Sequence, residues 1–371
     1  MNNKTMRKPT HVLALLIFVA ALWAIPTSAQ GSGEMVAFLN SAGQVVVSSG
    51  DGSYRWIATN PGEIVAQPFG FAWASDGRTL LIGVEAGGVV SLRAADVASQ
   101  SAAEFAQVSA PLISVSPDRR YAFHGQGGGY GLTDLQTGGA LALPLAADSS
   151  GGVALWSDSA PLVAYWGSQG NAVLAVVNAQ TGESALLDSG RAAPVLPLAW
   201  RPGNAQILFR SAGSVYAADV RCLLSGCGAN PLGSAVDLLP AGVTDVAVDS
   251  SNAYFQSDTV IGAVSLNCTA NCPAAAALAA ADAGAGGVAI GGGLLVYTSN
   301  GGAVSAVDLG CLGGACQPLV LANGATAGAV SSGGRYVVIA QGGTLSALDL
   351  ATGSAVYLAD AGTRLEQMAW N

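Results

Sequence analysis

The chain has 371 residues, is 51 % hydrophobic and 10 % charged, and carries a formal charge of −9. Lys4, Arg7 and Lys8 are three of its fourteen basic residues; the eleven that follow are all arginine and face 23 acids, a surplus of twelve negative charges beyond position 30. That balance excludes the basic stripe that nucleic-acid backbones require and the polybasic clusters that hold anionic lipid, while the apolar content excludes a disordered chain.

In chain order, the first element is a leader. A positive start precedes the apolar run Val12 to Ile25, and Pro26-Thr27-Ser28-Ala29 supplies the small residues of a cleavage site before Gln30. The run, about fourteen residues, is shorter than the roughly twenty that span a bilayer. Residues 1–29 are therefore expected to be a signal peptide and 30–371 the exported domain. No cysteine stands near the cleavage point to take a lipid, and no second apolar segment of spanning length follows. The mature chain is expected to be extracytoplasmic (secreted, periplasmic or cell-surface associated), not inserted in a membrane, and monomeric.

From there a single unit recurs. A short apolar segment ending in Trp or Val leads through a polar turn into a second, strongly apolar segment. Clear copies are Phe71-Ala72-Trp73-Ala74-Ser75-Asp76-Gly77-Arg78 before Leu80 to Gly83, and Ile113-Ser114-Val115-Ser116-Pro117-Asp118-Arg119-Arg120 before Tyr121 to Phe123. The anchors Trp73, Val115, Trp156, Trp200, Val248, Ile290, Val330 and Trp370 stand about forty to forty-eight residues apart. Within each unit, runs such as Val89 to Leu92, Val173 to Val177, Leu294 to Thr298 and Tyr336 to Ala340 are strand-like, bounded by Gly, Asn, Asp or Pro-Gly breakers. Ala274 to Ala281 is the one stretch of helical composition, but it sits where an outer strand belongs. Four short strands with their turns consume this period in a propeller blade. The fold class predicted is all-β, a single β-propeller of four-stranded blades, eight in number, with seven as the alternative if the unit near Val246 or Val288 is degenerate.

The two ends complement one another. Leu365 to Asn371 reads as a first strand with nothing after it, and Met35 to Leu39 as a second strand with nothing before it. Pairing them closes the ring and removes an exposed sheet edge.

On these residues the repeat resembles the WD40-like repeats of TolB-type propellers, whose units open with Trp-Ser-Pro-Asp-Gly and an apolar strand. Trp73 to Arg78 and Val115 to Arg119 match it well, and Trp156 to Ser159 and Trp200 to Asn204 match loosely. The likeness covers the mature chain but resides in the repeat alone. The extra domain of TolB proteins has no counterpart, so their role in envelope assemblies does not carry over.

Six cysteines form three local pairs, Cys222 and Cys227, Cys268 and Cys272, Cys311 and Cys316, spaced by the blade period. They replace tight turns of other units: Asp134 to Gly138, Asn178 to Gly182 and Asp349 to Gly353. In an oxidising compartment short-loop disulfides are the expected reading. A metal site is disfavoured, because the spacing exceeds two residues, no histidine is near and the pairs belong to different blades. Asp148, Asp188, Asp282 and Asp360 each follow an outer strand; they form either an acidic rim for a cation or basic partner, or solvated charges that keep a glycine-rich disc soluble. His124, the one histidine after the leader, has no recognisable catalytic partners. Trp73, Trp156, Trp200 and Trp370 share one repeat position and read as blade-packing residues.

No catalytic residue, metal or cofactor is therefore expected. The leading expectation is a non-enzymatic propeller that binds a protein or carbohydrate partner on one disc face. The rivals are a quinoprotein-like dehydrogenase and a structural surface protein. The first is suggested by the blade count and the Ala347-Leu348-Asp349-Leu350-Ala351-Thr352-Gly353 turn, with Tyr357 where that repeat has Trp.

Overall fold

Long, doubly apolar runs in the second and third strands of each unit reflect burial on both faces. Met35–Leu39 and Val45–Ser49 are buried at every position, because neighbouring sheets stack on both sides of them. In the computed structural model these strands belong to eight four-stranded antiparallel blades. The structure describes residues 34–126, 128–146, 154–168, 172–187, 195–203, 205–211, 213–227, 236–239, 242–257, 259–267, 275–280, 287–299, 301–312, 314–360 and 368–371.

With strands a to d running from inside to outside, blade 1 joins Met368–Trp370 to Met35–Leu39, Val45–Ser49 and Arg55–Ile57. Blade 3 comprises Leu112–Val115, Tyr121–Gln126, Gly129–Asp134 and Ala140–Ala146. Blade 4 comprises Ala154–Trp156, Leu162–Ser168, Ala172–Asn178 and Ser184–Leu187. Blades 5 to 8 begin at Leu196–Trp200, Val243–Val248, Val288–Gly291 and Ala325–Val330, so the units near Val246 and Val288 are whole blades. The alanine-rich stretch supplies the outer strand Ala276–Ala280 of blade 6.

The eight anchors occupy one structural position. Trp73, Val115, Trp156, Trp200, Val248, Ile290, Val330 and Trp370 lie opposite Leu80, Ala122, Val163, Ile207, Ala253, Leu295, Val337 and Val36. The last pair is the ring closure. There Val36, Ala37 and Phe38 pair with Trp370, Ala369 and Met368. Asn371 extends the closure, its side chain accepting from the Met35 amide at 2.8 Å and its amide donating to the Met35 carbonyl at 3.0 Å.

Strand lengths are adjusted by bulges. Inner strands of blades 3, 5, 6 and 8 each slip in register midway, and that of blade 2 is split into Ile64–Val65 and Phe71–Trp73. Outer strands slip at a matching place, and the extra residues Leu238, Leu278 and Leu358 turn inward to be 8 %, 5 % and 0 % exposed. A bulge adds local twist, which lets straight pairing become a blade that sweeps around an axis. Neighbouring blades meet closely: between blades 7 and 8, a Cβ on Gly291 or Gly292 would overlap the carbonyls of Ser331 or Gly333.

The c–d turns follow the Asx design. Asp134, Asn178 and Asp349 accept from amides two residues on at 2.9 Å, with Gly138, Gly182 and Gly353 at φ near +72° to +76°. Hydrogen bonding to Arg335 holds the Asp349 carboxyl below its ordinary value. Ser49 and Ser53 hold Asp51, in the corresponding turn of blade 1, at about 2. A depressed carboxylate stabilises the fold above its unfolded pKa near 4, and that contribution is lost as pH falls through the folded value. Urea midpoints are therefore expected to be level above about pH 5 and to fall between about pH 4 and 2; Asp349→Asn should flatten part of that fall.

Candidate functional site

The a–b turns and c–d turns share one face, because strands alternate in direction. On that face the a–b turns contact their neighbours. Asn371 Nδ2 donates to the Gly77 carbonyl at 3.0 Å, and the Ser75 amide to the Pro117 carbonyl at 2.9 Å. The Gly203 amide reaches Asp158, and Arg201 Nε reaches the Ser250 carbonyl at 2.8 Å. The Gly333 amide donates to Glu34.

A cleft of about 300 Å³ opens on the same face between blades 3 and 4, bounded by Asp118, Arg120, Tyr121, Trp156, Asp158 and Gln180. Each wall has a local cause. In the turn Ser116 to Arg120, the Ser116 hydroxyl donates to Asp118 at 2.6 Å and accepts from the Tyr121 amide at 2.8 Å, with Arg119 at φ +64°. Trp156 lies parallel to Tyr121, ring centroids 6.2 Å apart, and its indole N–H donates to Ser114 of blade 3 at 3.0 Å. The Arg120 guanidinium covers Tyr121 at 5.1 Å and pairs with Asp134 at 3.3 Å.

Two carboxylates line this cleft. Asp118 accepts from a hydroxyl and the Arg120 amide, and Asp158 from the Gly203 amide at 3.3 Å; among the described residues neither forms an ion pair. Tyr121 is 3 % exposed, and its hydroxyl is buried without a hydrogen-bond partner among the described residues. Burial pushes its pKa up, so it stays a neutral donor. Among the described residues no histidine, cysteine or lysine lines the cleft. It can hold a polar or cationic group against an aromatic wall.

Trp200 repeats the packing role of Trp156, its indole N–H donating to the Leu155 carbonyl of the preceding blade at 2.9 Å. His124 is buried and satisfied, with Nε2 against the Thr133 hydroxyl at 2.8 Å and Nδ1 against the Gly125 carbonyl at 3.1 Å. It occupies the strand-b position held by Phe38, Ile82, Tyr165, Phe209, Phe255, Tyr297 and Ile339 elsewhere, which is a core position. Cys222–Cys227 and Cys311–Cys316 are disulfide-bonded, with Cα separations of 4.5 and 5.2 Å; Cys268 and Cys272 lie outside the described residues. Of the four rim carboxylates, Asp360 is exposed at the end of blade 8's outer strand and bonded to Tyr357, away from the cleft. Asp148, Asp188 and Asp282 lie outside the described residues. Sequence reasoning does not single out Asp118, Arg120, Tyr121, Asp158 or Gln180 as a site; the signal available is the repeated Arg-Tyr after the a–b turn, at 120–121 and 335–336.

No protein-family model matches this chain, and no curated protein matches it. Solved structures do. Dihydro-heme d1 dehydrogenase NirN is similar at 15 % identity and a TM-score of 0.58, over 90 % of this chain and 74 % of that one. AztD from Citrobacter koseri is similar at 10 % identity and a TM-score of 0.54, over 91 % and 97 %. TolB from Acinetobacter baumannii is similar at 12 % identity and a TM-score of 0.44, over 100 % and 75 %. At such identities the likeness is one of fold, and by its sheet order the described chain is an eight-bladed β-propeller.

Proposed function

We propose that this protein is an exported, non-enzymatic binding scaffold whose partner docks on the face that bears the a–b turns. The observation that carries the reading is the cleft between blades 3 and 4: a concave site with an aromatic wall and two carboxylates that form no ion pair among the described residues. Export is supported by the two disulfides and by the leader-like composition of residues 1–29. The surplus of acids favours a partner with a basic surface.

The protein, immobilised with its disulfides intact, is expected to retain a saturable partner from the producing cell's envelope or medium. It should also leave a broad panel of hydrolase substrates unchanged and gain no absorption band on incubation with pyrroloquinoline quinone and calcium. Turnover at ordinary enzymatic rates, of about 1 per second or more, would overturn the reading. Ordered self-assembly without a retained partner would replace it with a structural role.

A further inference from the structure

The chain contains a second copy of the cleft's architecture, and that copy is closed. Between blades 8 and 1, Tyr336 stacks on Trp370 at 6.0 Å and 14°, against 6.2 Å and 15° for Tyr121 and Trp156. Arg335 covers Tyr336 at 5.0 Å and pairs with Asp349, as Arg120 does with Tyr121 and Asp134. Ser331 accepts from the Tyr336 amide at 2.9 Å, as Ser116 does from Tyr121 at 2.8 Å. The two seams correspond residue by residue through their anchors: Gly333 matches Asp118, and Glu34 matches Pro161.

Those two exchanges separate a closed seam from an open one. In the closed seam the Glu34 carboxylate accepts from the Gly333 amide across the gap, and Gly50 lies so close to Tyr336 that a Cβ would overlap its ring. In the open seam the carboxylate has moved to the other bank as Asp118. Pro161 faces it from the Glu34 position and has no N–H to give. Asp158 adds a second negative charge, and the buried Tyr121 hydroxyl has no partner among the described residues. Against its own internal copy, whose single interblade carboxylate is met by a backbone amide, the open seam carries two carboxylates, Asp118 and Asp158, that form no ion pair among the described residues.

Resting on the scaffold reading above, we propose that the cleft between blades 3 and 4 binds an arginine or lysine side chain of a protein partner. Asp118 receives the charged head, and Asp158, which also accepts from the Gly203 amide, adds negative charge beside it. Trp156, backed by Tyr121, supplies the apolar wall for the methylene stem. The chain has no lysine after Lys8, so no lysine of the exported domain competes for the cleft. The chain's surplus of acids attracts a basic partner and makes the association salt-sensitive.

The test is a titration of the ¹⁵N-labelled protein with N-acetyl-arginine amide, N-acetyl-lysine amide and, as the neutral comparison, N-acetyl-glutamine amide. The two cationic probes are expected to shift the Trp156 indole N–H and the amides of Asp118, Asp158 and Gln180, and glutamine amide to leave them in place. Asp118→Asn with Asp158→Asn should weaken the cationic probes at least tenfold. The asparagine side chain still accepts from Ser116 and the Arg120 amide, so the turn is retained. A second variant, Asp118→Gly with Pro161→Glu, transplants the closed seam and should abolish binding while the melting curve stays cooperative. Equal shifts with glutamine amide, or unchanged affinity in Asp118→Asn/Asp158→Asn, overturns the assignment. A native partner held equally by that variant also sinks the cleft while leaving the scaffold reading standing; catalytic turnover by the unaltered protein sinks the scaffold reading.

Discussion

Replacing Trp370 by alanine is expected to cost about 3 kcal/mol, the low end for truncating a large aromatic in a core. Deleting Met368–Asn371 should abolish the cooperative transition. Trp370 is half-buried at the ring closure, opposite Val36 and stacked on Tyr336, so its ring ties blade 8 to blade 1. Without the closing strand, Met35–Leu39, buried at every position, becomes an open edge. The same deletion removes the hydrogen bonds of Asn371, two to Met35 and one to Gly77 in blade 2. The indole N–H of Trp370 is buried without a partner among the described residues, so Trp370→Phe should cost much less than Trp370→Ala; comparable losses for both would refute a packing origin. Urea titration reads all three variants, with a lower midpoint at unchanged slope for the substitutions.

Breaking Cys222–Cys227 is expected to destabilise the seam between blades 4 and 5, and to do so beyond its loop-closure term. A five-residue separation corresponds to only about 2 kcal/mol in the chain-entropy account. The stapled turn also grips the preceding blade. Leu223, within the loop, is 1 % exposed and belongs to the core shared by blades 4 and 5. Its carbonyl accepts from Asn178 Nδ2 at 2.8 Å, and the Cys227 amide donates to Glu183 at 2.9 Å. Cys222→Ser with Cys227→Ser should therefore raise amide exchange in Ala172–Asn178 and Ser184–Leu187 of blade 4 as well as in its own turn. Protection changes confined to residues 222–227 would show that the staple acts locally. The Cys311–Cys316 turn leans the same way, with Leu309, Leu312 and both cysteines against the core between blades 6 and 7; its removal should loosen that seam.

Much of this architecture was legible because the repeat places an apolar anchor, Trp, Val or Ile, at one position of every unit. Each anchor, from Trp73 to Trp370, proved to lie opposite the second residue of strand b. The closure followed from Met35 to Leu39 and the final strand each lacking a mate. The Asx turns at Asp134, Asn178 and Asp349 were visible through their glycines, and the cysteine turns through their shared offset. The bulge leucines were not visible, since Leu238 and Leu358 look like ordinary members of an alternating strand until the register slips beneath them.

The cleft was hidden for a different reason. Asp118 looks like the Asp of any Ser-Pro-Asp turn, and the cleft beside it has Pro161, some forty residues away, where the seam of blades 8 and 1 has Glu34. Reading that requires two seams laid over one another, which composition and period do not provide. His124 shows the reverse: a residue type that invites chemistry is placed by the repeat at a core position, and its two hydrogen bonds use up both ring nitrogens.

The closure through Trp370 also orders events in time. Seven blades are each assembled from neighbouring residues, whereas blade 1 must bring together segments more than three hundred residues apart, Met35 and Asn371 among them. Contacts of such separation form late, because the loop entropy they close is repaid only once the intervening blades exist. The last strand then acts as a latch on an arc already built. Weakening it should leave the folding rate nearly unchanged and appear as faster unfolding, so the lifetime of the ring in a compartment with proteases is set at the seam between blades 8 and 1.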